Sequence, residues 1–297
     1  MDPTRQRLFP GLFFIDAVLE AADTKAEMSR RITVQYLQRA AMAGILIGTF
    51  YLAYFAVSAV FAGIPALGDG GPGLGRAVGA FVFGWALVFI YFTKSELLTS
   101  NMMVTSIAFY HRRLRPMHGL LLLALCYLGN AIGGLLLGIM ARYSTLTAGH
   151  VEEKMLAAVE VKLGYMATAS GMGDLFVRAI LCNLMINVAM LLVYNGFLKD
   201  SITMALAMVM SVFIFAFLGL EHSVANTILF TIVGFGPGID VWRALGNVAI
   251  ALVGNFIGGG VLIGMYYAHV NDGRWLDGRR GAAQPSQELA GQVPPGA

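Results

Sequence analysis

The fold of this chain is decided by the stretch Gly219-Leu220-Glu221-His222-Ser223-Val224-Ala225-Asn226, a polar interruption of an apolar run over about residues 202–235. Polar and ionisable side chains are costly in hydrocarbon, so at that depth they face a protein interior or a water-filled cavity. Glycine and side-chain oxygens suit an unwound segment whose freed backbone groups find partners inside the protein. The stretch therefore predicts a membrane helix that is broken midway, with Ser223 as the N-cap of the half-helix that follows.

An earlier stretch repeats this pattern. Glu96-Leu97-Leu98-Thr99-Ser100-Asn101 interrupts another apolar run, and its Glu and Asn stand 125 residues before Glu221 and Asn226. Gly129-Asn130 precedes Gly254-Asn255 by the same offset. Two motifs that share one offset indicate two homologous halves. If each half holds three spans, an odd number, the second half enters the membrane from the opposite side, and the paired breaks meet near the bilayer midplane.

The composition places the chain in the membrane. Hydrophobic residues make up 58% of it and charged residues 12%, against roughly 45–50% and 25% in a soluble domain. The net charge of +3 is small, and the basic residues form no nucleic-acid-binding patch, so we expect no nucleic-acid partner. The two cysteines, Cys126 and Cys182, fall in predicted spans and are interpreted as core residues. We expect neither a bound metal nor another cofactor.

We predict an all-α membrane protein with six transmembrane helices in two inverted three-helix repeats, over about residues 40–141 and 171–269, with helices 2 and 5 broken mid-membrane. Residues 1–38 are predicted to form an amphipathic segment at the cytoplasmic surface, ahead of a transport domain over 39–270. The tail, 271–297, has too little apolar content to fold.

Two further features concern the loops. The polar segment 142–170 is expected to form an external helix or the start of span 4. Lys and Arg are concentrated in the segments predicted to lie on the same side of the membrane as the N-terminus. Because positive loops stay inside, both termini are predicted to be cytoplasmic, in a protein of the cell (inner) membrane.

The paired breaks favour a small anion. Each half-helix begins just after its break, near Ser100 and Ser223, so free N–H groups and the positive dipole end face the interior. Thr99 and Ser100 add hydroxyl donors, and His222 can exchange a proton near neutral pH or donate a hydrogen bond to a carboxylate. Three apolar residues one or two turns away are expected to form constrictions that exclude hydrated ions: Leu87, Leu97 and Phe215.

Simpler roles are compatible with the same residues. His222 would be a buried hydrogen-bonding group, Thr99 and Ser100 would cap the half-helix, and the three apolar residues would be core packing. The carboxylates of Glu96 and Glu221 are expected to brace the breaks by accepting hydrogen bonds from loop N–H groups. The glycine strings of spans 3 and 6 are interpreted as close helix-packing surfaces.

Four motifs carry a resemblance to a known family. They are Leu97-Leu98-Thr99-Ser100, Cys182-Asn183-Leu184-Met185, the break at 221–226 and Gly254-Asn255-Phe256-Ile257-Gly258-Gly259. In this order, over about residues 16–270, they resemble the signatures of the formate/nitrite transporter family. The resemblance implies a homopentamer, an aquaporin-like protomer and one pore per protomer. It also implies passage of small monovalent anions or their acids, such as formate, nitrite, hydrosulfide, acetate or lactate, with protons as a second partner.

The resemblance also assigns residues. His222 matches the family's central pore histidine and Thr99 the threonine opposite it, while the remaining matches are the constriction positions Leu87, Leu97 and Phe215 and the chamber asparagines Asn183 and Asn226. The family's vestibule lysine would fall at about Ala167, where this chain has none. Our hypothesis is that Lys94 or Lys162 supplies the positive field instead. For Lys94, snorkelling to an interface or neutralising Glu96 is the simpler role.

Two other functions remain open. An aquaporin-like channel for neutral solutes would share inverted halves, but the breaks contain no Asn-Pro-Ala string. An intramembrane enzyme using His222 would need a nucleophile or a metal, and the sequence has no His-Glu-x-x-His string. A transporter is therefore favoured over an enzyme.

Overall fold

The computed structural model describes residues 7–236 and 238–274, and within these ranges the chain is helical. The helices are α1 Leu12–Arg31, α2 Thr33–Ala62, α3 Gly71–Phe92, α4 Leu98–Tyr110, α5 Pro116–Arg142, α6 His150–Gly164, α7 Ala169–Tyr194, α8 Ser201–Leu218, α9 Ser223–Gly234, α10 Val241–Asn255 and α11 Tyr266–Val270. A π-helix, Phe256–Met265, joins α10 to α11, and 3₁₀ turns precede α3 and α7. Six of these segments are long and apolar enough to cross a membrane, which confirms the predicted number: α2, α3 with its 3₁₀ turn, α5, α7, α8 and the continuous stretch from α10 to α11.

Two helices of the predicted set are interrupted, as expected. The chain leaves helical geometry between α3 and α4, and again between α8 and α9. The second half-helix is not capped by Ser223, because the His222 ring occupies the N-cap place and its Nδ1 accepts the N–H of Ala225 at 3.2 Å. The first half-helix has Leu97 at its N-cap and no side-chain cap. Thr99 and Ser100 lie inside α4, so their predicted capping role is wrong.

The glycine strings are close packing surfaces, which confirms their interpretation. A Cβ added to Gly133 on α5 would lie 1.9 Å from the carbonyl oxygen of Ala41 on α2. A Cβ on Gly258 would lie 2.1 Å from the carbonyl oxygen of Ile180 on α7. Backbones that approach this closely leave no room for any other residue.

The N-terminal helix α1 packs against the protein. Phe14, Ile15 and Val18 are buried in the main hydrophobic core, and α1 contacts α4. A helix that buries its apolar face against protein is compatible with the predicted amphipathic segment, and its position at the cytoplasmic surface stays a prediction. The polar segment 142–170 contains a helix of its own, α6, separate from α7, and its external or re-entrant position stays a prediction.

The first residues of the predicted disordered tail are ordered. The side-chain oxygen of Asn271 accepts the Gly11 N–H at 2.8 Å, and Asp272 accepts bonds from Arg274 and, at 3.3 Å, from Tyr110. The Arg274 hydrogen bond lowers the pKa of Asp272 to about 2. The prediction is wrong for 271–274 because composition averaged over the tail hides two buried polar side chains. Residues 275–297 lie outside the described residues.

Candidate functional site

The first break is held by Asn130 of α5. Its Oδ1 accepts the N–H of Leu98 at 3.1 Å, and its Nδ2 donates to the carbonyl oxygens of Ala40 and Glu96, each at 2.8 Å. The asparagine is fully buried. One carboxamide thus satisfies backbone groups that the unwound segment would otherwise leave unpaired in a site without water.

The second break is held in the same way by Asn255 of α10. Its Oδ1 accepts the N–H of Ser223 at 2.9 Å, and its Nδ2 donates to the carbonyl oxygens of Ala179 at 2.8 Å and Glu221 at 2.9 Å. Ser223, Glu221 and Asn255 each stand 125 positions after their counterparts at the first break. The duplication seen in the sequence therefore extends to the hydrogen bonds of the two breaks. The opposite orientation of the two halves stays a prediction.

A buried ion pair adjoins the first break. Lys25 of α1 pairs with the carboxylate of Glu96, and Asn101 Nδ2 donates to the same carboxylate oxygen at 3.0 Å. Burial disfavours the charge of the ammonium, but the Glu96 carboxylate outweighs it, so the pKa of Lys25 is raised. Both charges are thereby kept and compensated inside the protein.

The same arrangement adjoins the second break. Lys162 Nζ donates to both carboxylate oxygens of Glu221, at 2.9 and 2.8 Å, and Asn226 Nδ2 donates to one of them at 2.6 Å. Burial again opposes the ammonium, and Glu221 again raises its pKa. The prediction that Glu96 and Glu221 accept loop N–H groups is wrong. A buried carboxylate is compensated better by an ammonium, and the asparagines described above serve the loop backbone.

Three cavities follow one another along the breaks. We name the two larger cavities inner and outer after the predicted topology, and the inner one, about 330 Å³, is lined by α1 and by Lys94, Glu96 and Ser100. The outer cavity, about 630 Å³, is lined by residues that include Lys162 and Glu221. A central space of about 20 Å³ lies between them. A cavity of roughly 10–15 Å³ holds one water molecule, so the central space is one small molecule wide.

The central space shares its walls with both cavities. Leu87, Ile90 and Leu97 line it together with the inner cavity. Phe83, Phe215 and His222 line it together with the outer cavity. The apolar residues singled out in the sequence thus lie on either side of the central space. The three cavities adjoin one another in a series, which we call the path.

The path meets a hydrogen bond between the two breaks. Thr99 Oγ1 lies 3.3 Å from His222 Nε2, and both residues are buried. Because His222 Nδ1 accepts the Ala225 N–H, a neutral ring carries its proton on Nε2 and donates it to Thr99. The threonine and histidine that the sequence paired across the two halves are therefore in contact, with Phe215 beside the imidazole at a ring-centroid distance of 6.0 Å.

The two predicted chamber asparagines have different surroundings. Asn183 lies behind Thr99, with its Nδ2 committed to the carbonyl oxygens of Thr99 at 3.1 Å and Asn255 at 2.7 Å. Asn187, one turn along α7, also donates to the Thr99 oxygen, at 3.1 Å. Asn226 lines the outer cavity beside Glu221. Asn183 thus braces the first half-helix, and contact of either asparagine with a substrate stays a prediction.

Lys94 occupies an unusual backbone position. Its φ is +56°, in the left-handed region, and its counterpart 125 positions later is Gly219, with φ +67°. The side chain is exposed and lies over the Tyr91 ring at 4.9 Å. A lysine at a position that suits glycine carries a backbone cost, which often marks a functional site. Lys94 does not neutralise Glu96, because Lys25 does so instead, and snorkelling of Lys94 to an interface stays a prediction.

Comparison with known proteins places the chain in a family. The sequence model described as formate/nitrite transporter matches residues 14–269. The chain belongs to the formate/nitrite transporter family. Among its relatives is the formate channel FocA of Haemophilus influenzae, 26% identical over 251 residues, which cover 77% of this chain and 84% of the relative.

Solved structures of the formate/nitrite transporter family share the fold. An "FNT family ion channel" superposes with a TM-score of 0.73 at 22% identity, covering 86% of this chain and 98% of that one. A "pentameric formate channel with formate bound" gives 0.62 at 18% identity, covering 84% and 99%. These similarities confirm the predicted all-helical channel fold for this family member.

Sequence reasoning missed three parts of this family member's site. The sequence shows Asn130 and Asn255 at equivalent positions of the two halves, but it does not show that their side chains hold the breaks. Lys25 has the polar neighbours Asp23, Thr24 and Glu27, so the sequence does not distinguish it from a lysine on a solvated helix face. The π-helix was not predicted, and its three consecutive glycines, Gly258 to Gly260, were its only visible signal.

Proposed function

We propose that the protein is a channel or transporter for small monovalent anions, such as formate or nitrite, or for their acids. The observation that carries this proposal is the series of three cavities, with His222 in the wall of the small central space and in contact with Thr99. The outer and inner cavities have basic side chains in their walls, which suits anions. A relative named a formate channel supports the same substrate class.

We further propose that the solute crosses the centre together with a proton. The central space has room for about one water molecule and is lined by apolar residues apart from His222, so an anion entering it loses most of its hydration. Removing a charge from water costs several kcal/mol, whereas a neutral acid avoids most of that cost. His222 is the only titratable side chain among the residues that line this space, and it can pass a proton to the anion only from its imidazolium form, which water then restores.

The direct test is formate uptake into proteoliposomes across a pH series, with an internal pH dye. Wild-type protein should carry formate and acidify the lumen, because formic acid releases its proton inside. His222→Asn keeps a hydrogen-bond donor but has no titratable group. Its formate uptake, as a fraction of the wild-type uptake at the same pH, should therefore fall as the pH rises. Asn195→Leu, at a side chain whose oxygen has no hydrogen-bond partner, is the control. Water flux with no anion flux would instead support a neutral-solute channel.

The assembly and topology belong to the same proposal. We propose a homopentamer, supported by the pentameric formate channel that shares the fold. We also propose a cell-membrane location with both termini cytoplasmic, supported by the distribution of basic loops. Cys126 and Cys182 are buried, so single cysteines introduced at Arg112 and Arg243 report the topology. We expect an impermeant maleimide on whole cells to label the cysteine at position 243 and not the one at position 112.

An enzymatic role is not part of the proposal. Within the described ranges, no group of three His, Cys, Asp or Glu side chains is arranged to hold a metal ion. The relatives that the chain matches are named as channels and transporters.

A further inference from the structure

The outer cavity contains one cation that nothing in the described part of the chain neutralises. Lys162 is bound to Glu221, and Arg178 is bound to Asp174 at 2.9 Å. Arg76, at the start of α3, has no ion pair and no side-chain hydrogen bond among residues 7–236 and 238–274. Its guanidinium lies over the Phe217 ring, 5.7 Å from the centroid. The positive charge of this cavity therefore resides mainly on Arg76.

Arg76 and Arg178 lie close together at the second break but differ in their hydrogen bonding. A Cβ built on Gly219 would lie 2.9 Å from Arg76 Nη2 and 3.9 Å from Arg178 Nη1, so both guanidinium groups flank this glycine. Arg178 donates to the carbonyl oxygens of Leu218 and Gly219, the free acceptors at the end of α8. The hydrogen-bond donors of Arg76 are left for water or for a ligand.

We propose that Arg76 forms an outer capture site for planar anions that carry two oxygens on one atom, the chemistry of carboxylates and nitrite. This inference rests on the proposed function and names a substrate-binding residue for it. A guanidinium presents paired N–H donors in a fixed plane, which match two oxygens of such an anion at once. The cation–π contact with Phe217 restricts the position of the guanidinium in the cavity.

The position of Arg76 makes it a binding residue of the outer cavity, separate from the central space. It is exposed, and it lines the cavity that also contains His222. The central space has other walls and does not include Arg76. A change at Arg76 should therefore alter how readily external anion is captured and leave the central step untouched.

The test is the concentration dependence of external formate uptake by Arg76→Gln, Arg76→Lys and Arg243→Gln. Arg243 is an exposed arginine paired with Asp240 near the start of α10 and serves as the matched surface-charge control. We expect Arg76→Gln to raise the half-saturation concentration about three- to five-fold, the range of an exposed charge pair, with an unchanged maximal rate. The half-saturation concentration of Arg76→Lys should lie closer to that of Arg76→Gln than to that of the wild type, because lysine keeps the charge but lacks the paired N–H donors.

Each other outcome overturns a stated part of the inference. An unchanged half-saturation concentration in Arg76→Gln removes Arg76 from capture. Equal changes in Arg76→Gln and Arg243→Gln show a general surface-charge effect, and full recovery in Arg76→Lys removes the two-oxygen recognition. A lower maximal rate with a lower melting temperature shows a structural role. Absence of anion uptake in the wild type instead rejects the proposed function, a result that is visible before any variant is measured.

Discussion

At the scale of single residues, the left-handed conformation of Lys94 connects backbone strain with charge. A non-glycine residue pays about 1 kcal/mol or more in this region, and glycine pays almost nothing. Gly219, at the equivalent place in the second half, avoids that cost. The chain therefore keeps a lysine where a glycine would be more stable, and its exposed ammonium lines the inner cavity.

Two substitutions separate the charge of Lys94 from its backbone. Lys94→Gly should raise the melting temperature, corresponding to about 1 kcal/mol in the free energy of unfolding. Lys94→Ala should not raise it, because alanine keeps the backbone strain. Both variants should reduce formate uptake equally at low substrate concentration, and salt should reduce the difference from wild type. Melting temperature and initial uptake rate are the measurements. A loss of uptake in Lys94→Ala that Lys94→Gly does not share would assign the effect to the backbone.

Asn255 provides a second prediction at this scale. Asn255→Leu leaves the N–H of Ser223 and the carbonyl oxygens of Glu221 and Ala179 without their partner. Each buried unsatisfied group costs roughly 1–3 kcal/mol, so the loss of stability should exceed about 3 kcal/mol. The same change at Asn195 should be nearly neutral, since its side-chain oxygen has no hydrogen-bond partner among the described residues. Comparable melting temperatures for the two variants would show that Asn255 does not hold the break.

At the scale of helices, close approach explains why the glycine strings lie where they do. Gly133→Ala would place a Cβ 1.9 Å from the Ala41 carbonyl oxygen, so α5 and α2 must separate. A Cβ added to Gly173 in α7 would meet open space, and Gly173→Ala should stabilise the helix by up to about 1 kcal/mol through its higher helix propensity. We expect opposite shifts of the melting temperature in detergent for the two variants. A shared direction would mean that propensity, and not contact, governs Gly133.

The sequence predicts helices better than the contacts between them. The breaks at 219–222 and 93–97 are visible because polar residues interrupt apolar runs, and the offset of 125 residues pairs them before any coordinates are known. The partners of Glu96 and Glu221 are not visible in this way. Lys25 and Lys162 lie 71 and 59 residues away on helices outside the repeat motifs, and only the packing of those helices brings the charges together.

A similar limit applies at the ends of the half-helices. A serine after a polar segment is a good N-cap by residue preference, yet His222 takes that place, because its ring also has to reach Thr99. Residue preferences are averages over many helices. They cannot express the need of one side chain to serve a helix end and a partner on another helix at once.

At the scale of the whole molecule, the path lies inside one chain. Both breaks that meet at Thr99 and His222 come from the same chain, and residues of that chain line each of the three cavities. A homopentamer of such protomers would contain five independent paths. A channel along the axis between subunits would instead require every subunit to contribute to one path.

Mixed assemblies distinguish these two arrangements. Ala86 lines the central space, so Ala86→Phe should plug its own protomer by filling a volume that holds about one water molecule. When plugged and wild-type chains are combined in equal amounts, independent paths predict half of the wild-type formate uptake. A shared axial path that any plugged subunit closes predicts about one thirty-second, because all five subunits must then be wild type. Uptake measured against the fraction of wild-type chain should therefore be a straight line, and a steep curve would place the path outside the protomer.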